Sequence, residues 1–226
     1  MNRRILYFLF VLFGLLIEFT NTQKILLENA SGQIDDYNYE LWKDTGITQM
    51  TLLGGGKFRC SWSNVNNVLF RIGKEWDCTY HFAKNISILV DYNVDFRPTG
   101  NAFMYVYGWT RNPLIEYYIV ENWGTWRPPG GYPVGTISFD NDIYDIYVTN
   151  RINQPSIDGI STFKQYWSVR TSKSNRGTVY VDKHFHAWTG KNLEYGSMCE
   201  TSFIIKASQG SGLATVNNLH IFENFK

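Results

Sequence analysis

Two adjacent runs decide the fold class: Ala102-Phe-Met-Tyr-Val-Tyr-Gly-Trp109 and Leu114-Ile-Glu-Tyr-Tyr-Ile-Val120, joined by Thr110-Arg-Asn-Pro113. Both are rich in β-branched and aromatic residues, both alternate with period two, and an Asn-Pro turn separates them. That is the signature of paired strands in an antiparallel sheet. In the first run Tyr105, Tyr107 and Trp109 share one face, with Phe103, Val106 and Gly108 outside that set. In the second, Glu116 and Tyr118 lie opposite Ile115, Tyr117 and Ile119. One face therefore mixes rings with a carboxylate, and the other reads as core. Trp42, Trp62, Tyr166 and Trp167 add further aromatic surface. Flat rings with polar neighbours suit sugars, whose C–H faces stack while their hydroxyls take hydrogen bonds. The simple preference of Tyr and Trp for strands accounts for the same residues.

The pattern repeats on both sides of these runs. Residues 49–53 and 57–62 flank the turn Gly54-Gly55-Gly56, and alternation recurs over 86–96, 143–149, 163–170 and 200–208. Short strands at regular intervals with turn residues between them indicate an all-β sandwich or barrel. One stretch departs from period two. Asp182-Lys-His-Phe-His-Ala-Trp188 offers Asp182 as an N-cap, Phe185 and Trp188 at helical spacing, and Gly190 as a stop, which predicts a single short helix.

The chain has 226 residues, 21 Lys+Arg against 20 Asp+Glu, and 17% aromatics. A net charge of +1 without a basic run excludes nucleic acid or an anionic membrane as the main partner. Met1-Asn-Arg-Arg4 precedes an almost wholly apolar run over 5–17. About a dozen apolar residues suit a secretory signal, whereas a membrane span needs roughly 20. An uncleaved anchor is the alternative. We expect a signal peptide over 1–22, cleaved near Thr20 to Gln23, and one secreted, extracellular, monomeric domain over 23–226. Asn29-Ala-Ser31 and Asn85-Ile-Ser87 are glycosylation sequons. Cys60, Cys78 and Cys199 allow one internal disulfide at most. Cys60–Cys78 is the pair nearer in sequence, and three free buried thiols fit equally well. No Cys/His spacing resembles a metal site.

Against that background the run Tyr107-Gly-Trp-Thr-Arg-Asn-Pro-Leu-Ile-Glu-Tyr-Tyr118 closely resembles the nucleophile strand of glycoside hydrolase family 11 xylanases. The resemblance continues through Val120-Glu-Asn-Trp-Gly-Thr-Trp-Arg-Pro128, Tyr144-Asp-Ile-Tyr147, a thumb-like Arg151-Ile-Asn-Gln-Pro-Ser-Ile-Asp-Gly159 and Phe163-Lys-Gln-Tyr-Trp-Ser-Val-Arg170. Upstream, Trp62-Ser-Asn-Val-Asn-Asn67 and Gly73-Lys74 also match. It implies a β-jelly roll, two curled antiparallel sheets forming a cleft, with one helix. It further implies retaining cleavage of internal β-1,4 bonds in xylan, by two carboxyl groups about 5–5.5 Å apart. One attacks the anomeric carbon. The other, kept protonated, gives its proton to the leaving oxygen and later activates water. By this match Glu116 is the nucleophile. Tyr107 and Tyr118 serve it and the bound sugar, Trp42 is a stacking platform, and Arg151, Pro155, Ser156 and Gln165 line the groove. Asn67 stands beside the acid/base position. No cofactor or metal is implied, and the partner is xylan or xylo-oligosaccharides.

The resemblance breaks at one point. The family's acid/base Glu lies near the C-terminus in a strand ending Glu-Gly-Tyr. Here the segment reads Met198-Cys-Glu-Thr-Ser-Phe-Ile-Ile-Lys-Ala-Ser-Gln-Gly-Ser-Gly212. The ungapped registration puts Lys206 where the Glu belongs, followed by Ala207 and Ser208. A slipped one puts Gln209-Gly210 there, and neither restores a carboxylate. Glu200 is six residues upstream of Lys206 on the same strand face, roughly 20 Å away at strand rise and too far to act. Glu121 has the wrong parity to join Glu116. We expect the Lys206 ammonium to face Glu116 within salt-bridge reach, leaving an impaired xylanase or, as the alternative, a non-catalytic xylan-binding relative.

Overall fold

The structure is a computed structural model and describes residues 23–78, 86–139 and 142–225; the expected leader and Asn85 lie outside them. Sixteen strands and one helix follow in chain order: β1 Lys24–Leu26, β2 Ala30–Ile34, β3 Tyr37–Lys43, β4 Ile47–Gly54, β5 Lys57–Val65, β6 Val68–Glu75, β7 Ile86–Pro98, β8 Ala102–Arg111, β9 Ile115–Trp123, β10 Gly135–Phe139, β11 Asp142–Ser156, β12 Gly159–Arg170, β13 Arg176–Tyr180, α1 Val181–Thr189, β14 Ser197–Met198, β15 Glu200–Ala207 and β16 Gly210–Phe225. They form a six-stranded sheet in the order β1-β4-β5-β16-β7-β13 and a larger curled sheet in the order β10-β11-β12-β9-β8-β15-β6-β3-β2. The β12–β9 pair is parallel. This is the jelly roll that the sequence implied.

Alternation sorts the side chains of the larger sheet. One set, including Phe70, Ile72, Met104, Val106, Ile119 and Phe203, is sealed between the sheets. The other builds a second apolar cluster on the open, concave face: Phe103, Tyr105, Val120, Tyr147, Trp167 and Ile204. Phe103 thus joins the aromatic face from which the sequence reading omitted it; it stacks on Tyr105 at 5.0 Å, as odd-numbered parity along β8 requires. Trp62 and Tyr166 instead belong to the core between the sheets. Glu121 is also on the core side, where Tyr92 and Tyr144 donate to it at 2.6 and 2.9 Å and Arg170 pairs with it at 3.1 Å.

The helix begins two residues earlier than expected. Tyr180 occupies the N-cap without a side-chain cap, and Asp182 lies in the first turn, where its charge suits the helix dipole. Phe185 and Trp188 are buried; Phe185 meets the Tyr117 ring edge-on at 5.0 Å, and Trp188 donates its indole N–H to Ser168 at 3.1 Å. The disulfide joins Cys78 to Cys199, with Cα atoms 4.9 Å apart, and not Cys60 to Cys78. The reason is topological. Cys60 points from β5 into the core, whereas Cys78 follows β6 and Cys199 precedes β15, and those two strands are neighbours. The amide of sequon residue Asn29 is engaged with both backbone groups of Lys43.

His184 is buried among the rings of Phe139, Tyr144 and Trp188, with its Nδ1 unpaired. Burial, aided by the charge of Lys183, lowers its pKa from 6.5 to about 3. Between those values the unfolded imidazole takes a proton that the folded one refuses. Its contribution to stability is therefore lost as pH falls through this window, by about 1.4 kcal/mol per unit. Denaturant titrations across the window should show this loss, and His184→Phe should flatten it relative to the parent; parallel curves would contradict the assignment.

Candidate active site

Glu116 lies on β9 with its side chain on the concave face and is 8% exposed. Three neutral donors converge on it. Tyr107 on β8 donates to Oε1 at 2.9 Å, Tyr118 donates to the same oxygen at 2.7 Å, and the Gln165 amide on β12 donates to Oε2 at 2.6 Å. Register explains the convergence: Glu116 sits opposite Trp109 on β8 and beside Gln165 on β12, while Tyr107 and Tyr118 form the adjacent cross-strand pair. Burial, followed by the charge of Glu116, raises both phenols well above their usual range, so they stay protonated donors.

A second layer fixes these donors, and it was not foreseen from sequence. Trp109 donates its indole N–H to the Tyr107 hydroxyl at 2.7 Å, which points that hydroxyl's own proton toward Glu116. Thr149 donates to the Gln165 carbonyl at 2.8 Å and accepts from Trp167 at 3.1 Å, leaving the Gln165 amide to face the carboxylate. Tyr118 stacks on Trp167 at 3.7 Å with the planes 7° apart. Parity alone places all of these residues on one face; which group each hydroxyl serves depends on neighbouring strands that sequence does not order.

Lys206, on β15, is half-buried between Leu69 of β6 and Phe103 of β8. It does not form the expected salt bridge: among the described residues no ion pair within 4.0 Å joins it to Glu116, and no hydrogen bond satisfies it. The two are nevertheless electrostatically coupled. Burial lowers the Lys206 pKa from its usual value, Glu116 opposes that shift, and the Arg151 guanidinium reinforces it. The carboxylate instead accepts three hydrogen bonds, all from neutral donors.

The remaining expected residues surround this pair. Asn67 accepts a hydrogen bond from Ser208 at 3.0 Å, two residues past Lys206. Trp42, 44% exposed, is opposite Leu69, which is opposite Lys206, so it stands on the same row of the sheet. Arg151 begins the thumb hairpin and is exposed. Pro155 and Ser156 sit at its tip, where Ser156 closes the turn on Gly159 at 2.7 Å, and they do not touch Glu116. The tip is tethered by Arg111, which bonds Asp158 at 2.7 Å and the Ile157 carbonyl at 3.1 Å and also reaches Cys78 Sγ of the disulfide at 3.3 Å.

Glu200 needs a correction. The Cys199 amide bonds the Trp109 carbonyl, and Trp109 lies opposite Glu116, so Glu200 starts only two strands across from Glu116. Distance along β15 therefore does not remove it. Its partners do: Arg71 binds it at 2.8 Å, Ser202 donates to it at 2.6 Å, and Arg71 also holds Glu40 at 3.0 Å. Burial raises the Glu200 pKa while Arg71 opposes the shift. Among the described residues no set of acidic, His and Cys side chains is arranged to hold a metal ion, and no helix is long and apolar enough to cross a membrane.

An aromatic trough on a curled jelly-roll sheet, with a carboxylate hydrogen-bonded at its floor, defines a carbohydrate-cleft protein. The pattern of Glycosyl hydrolases family 11 matches residues 34–217, and the chain belongs to that family. An endo-1,4-beta-xylanase A of Bacillus pumilus is 48% identical over 98% of this chain and 99% of its own length. A bifunctional xylanase/deacetylase of Pseudobutyrivibrio xylanivorans is 52% identical over 87% of this chain, which spans 33% of that relative's length. The structure of the family 11 xylanase from Neocallimastix patriciarum superposes with a TM-score of 0.80 at 30% identity, covering 90% of this chain and all of that one.

The opposed influences on Lys206 give a measurable sign. Following its side-chain amine by NMR titration, Glu116→Gln should lower its pKa further and Arg151→Gln should raise it. Shifts in the reverse directions would place Lys206 away from the trough.

Proposed function

We propose that the protein is an exported xylan-binding glycosidase that cleaves internal β-1,4-xylosidic bonds with retention, at a rate limited by the amine at position 206. The observation that carries this reading is the triply hydrogen-bonded Glu116 at the floor of an aromatic trough. In the first step Glu116 attacks the anomeric carbon to form a glycosyl ester, the glycosidic C–O bond breaks, and the leaving oxygen takes its proton from solvent water rather than from a carboxylic acid. In the second, water displaces Glu116, gives up its proton to solvent and restores the anomeric configuration. Tyr107, Tyr118 and Gln165 orient the attacking oxygens, while Trp42 and the rings along the concave face hold the chain. General acid–base assistance is worth about 10²–10⁴-fold, and its loss weighs most on poor leaving groups such as a sugar hydroxyl.

The xylanases among the relatives support xylan as the ligand, and the basic and apolar leader over 1–22 supports export to the extracellular medium. The experiment pairs oligosaccharide binding with release of reducing ends, using the purified protein and xylohexaose. Binding is expected with slow release, Glu116→Gln should abolish release while preserving binding, and Lys206→Glu should raise it toward the assisted rate. Rapid hydrolysis by the parent that Glu200→Gln removes would identify Glu200 as the proton donor and contradict the proposal. Binding with no turnover of even a dinitrophenyl xylobioside would leave the non-catalytic reading in its place.

A further inference from the structure

Accepting the trough as a xylan groove, we infer that Lys206 and Arg151 make its centre an anion site that selects xylan chains bearing carboxylate substituents, as uronic-acid side groups do. The argument is one of charge placement. The other cations paired on this sheet are already matched: Arg71 with Glu40 and Glu200, and Arg127 with Asp145 at 2.8 Å. Lys206 and Arg151 have no such partner among the described residues, and both stand on the ring-bearing face: Arg151 registers with Phe163, two residues from Gln165 on β12, and Lys206 registers with Phe103 on β8. Their charges are felt across it, the Arg151 guanidinium lowering the Lys206 pKa. Glu116 does not neutralise them by contact: among the described residues it forms no ion pair, and its oxygens accept from phenol and amide donors. The centre therefore carries two positive charges against one negative charge, where the family arrangement has a second carboxylate.

Lys206 is also half-buried. Its strand neighbours on this face are Leu69 and Phe103, which offer no hydrogen bond. An ammonium that has lost water without gaining an acceptor gains more from an incoming carboxylate than an exposed one does. Arg151 stands on a different wall, at the base of the thumb, and its planar fork suits a carboxylate. The surrounding rings favour a carboxylate carried on a sugar chain over a free anion, since stacking on Trp42 adds to the charge contact.

Calorimetry with xylotetraose and with the same tetraose carrying one glucuronic acid tests the inference. The acidic oligosaccharide should bind about three- to tenfold more tightly at low salt, and the advantage should shrink as salt is raised. Lys206→Gln and Arg151→Gln should each reduce that advantage while changing xylotetraose affinity less. Equal or weaker binding of the acidic oligosaccharide would overturn the inference, as would an advantage unchanged in Lys206→Gln. Free glucuronate competing as well as the acidic tetraose would also overturn it, because the site would then ignore the sugar chain. Failure of both oligosaccharides to bind would defeat the xylan-groove reading itself, a result distinct from equal binding.

Discussion

The organising constraint is the hydrogen-bond set around Glu116. A carboxylate that is 8% exposed on a sheet of aromatic residues must be satisfied, and here it is satisfied entirely by neutral groups: two phenols and an amide. Each donor is in turn fixed from behind by Trp109 or Thr149, or by stacking on Trp167. This arrangement needs β8, β9 and β12 side by side, and the family topology supplies them with a parallel β12–β9 pair flanked by antiparallel neighbours. The ammonium of Lys206 has no ion-pair partner among the described residues.

Curvature does the rest. Along β8 Glu116 registers with Trp109 and Lys206 with Phe103, six residues apart, so on a flat sheet the two would be well separated. A register shift between Met104 and Tyr105 against β9 marks a bulge between those rows, a device that bends and twists a strand. The curled sheet brings the two charges into electrostatic range across the trough. A carboxylic acid at 206 would use that geometry for proton transfer. A lysine there instead adds positive charge to a face on which the charges of Arg71 and Arg127 are already matched by carboxylates.

Much of this was readable from period-two alternation. The strands around Tyr107 and Glu116, the core role of Phe185 and Trp188, and the opposite orientation of Glu121 all follow from local pattern. What failed were statements needing strand order or three-dimensional distance. The Cys78–Cys199 bridge depends on β6 and β15 being neighbours, which two strands far apart in sequence do not announce. Glu200 looked remote when measured along its own strand, yet it lies two strands from Glu116 when measured across the sheet. The expected Lys206–Glu116 salt bridge combined the registration of Lys206 on the acid/base position with the opposite charges of the two groups. It is absent, the Glu116 oxygens accepting from Tyr107, Tyr118 and Gln165 instead, and the roles of Trp109 and Thr149 in holding these donors are visible only once the strands are placed.

The central claim is that Glu116 is a competent nucleophile in a site that lacks a carboxylic proton donor. It is tested most directly by incubating the protein with a dinitrophenyl 2-deoxy-2-fluoro-xylobioside and analysing its peptides by mass spectrometry. Dinitrophenolate leaves without protonation and the fluorine slows release, so the account predicts a stable glycosyl adduct on Glu116. Saturable binding of the reagent with no adduct, or an adduct on a different residue, would contradict it.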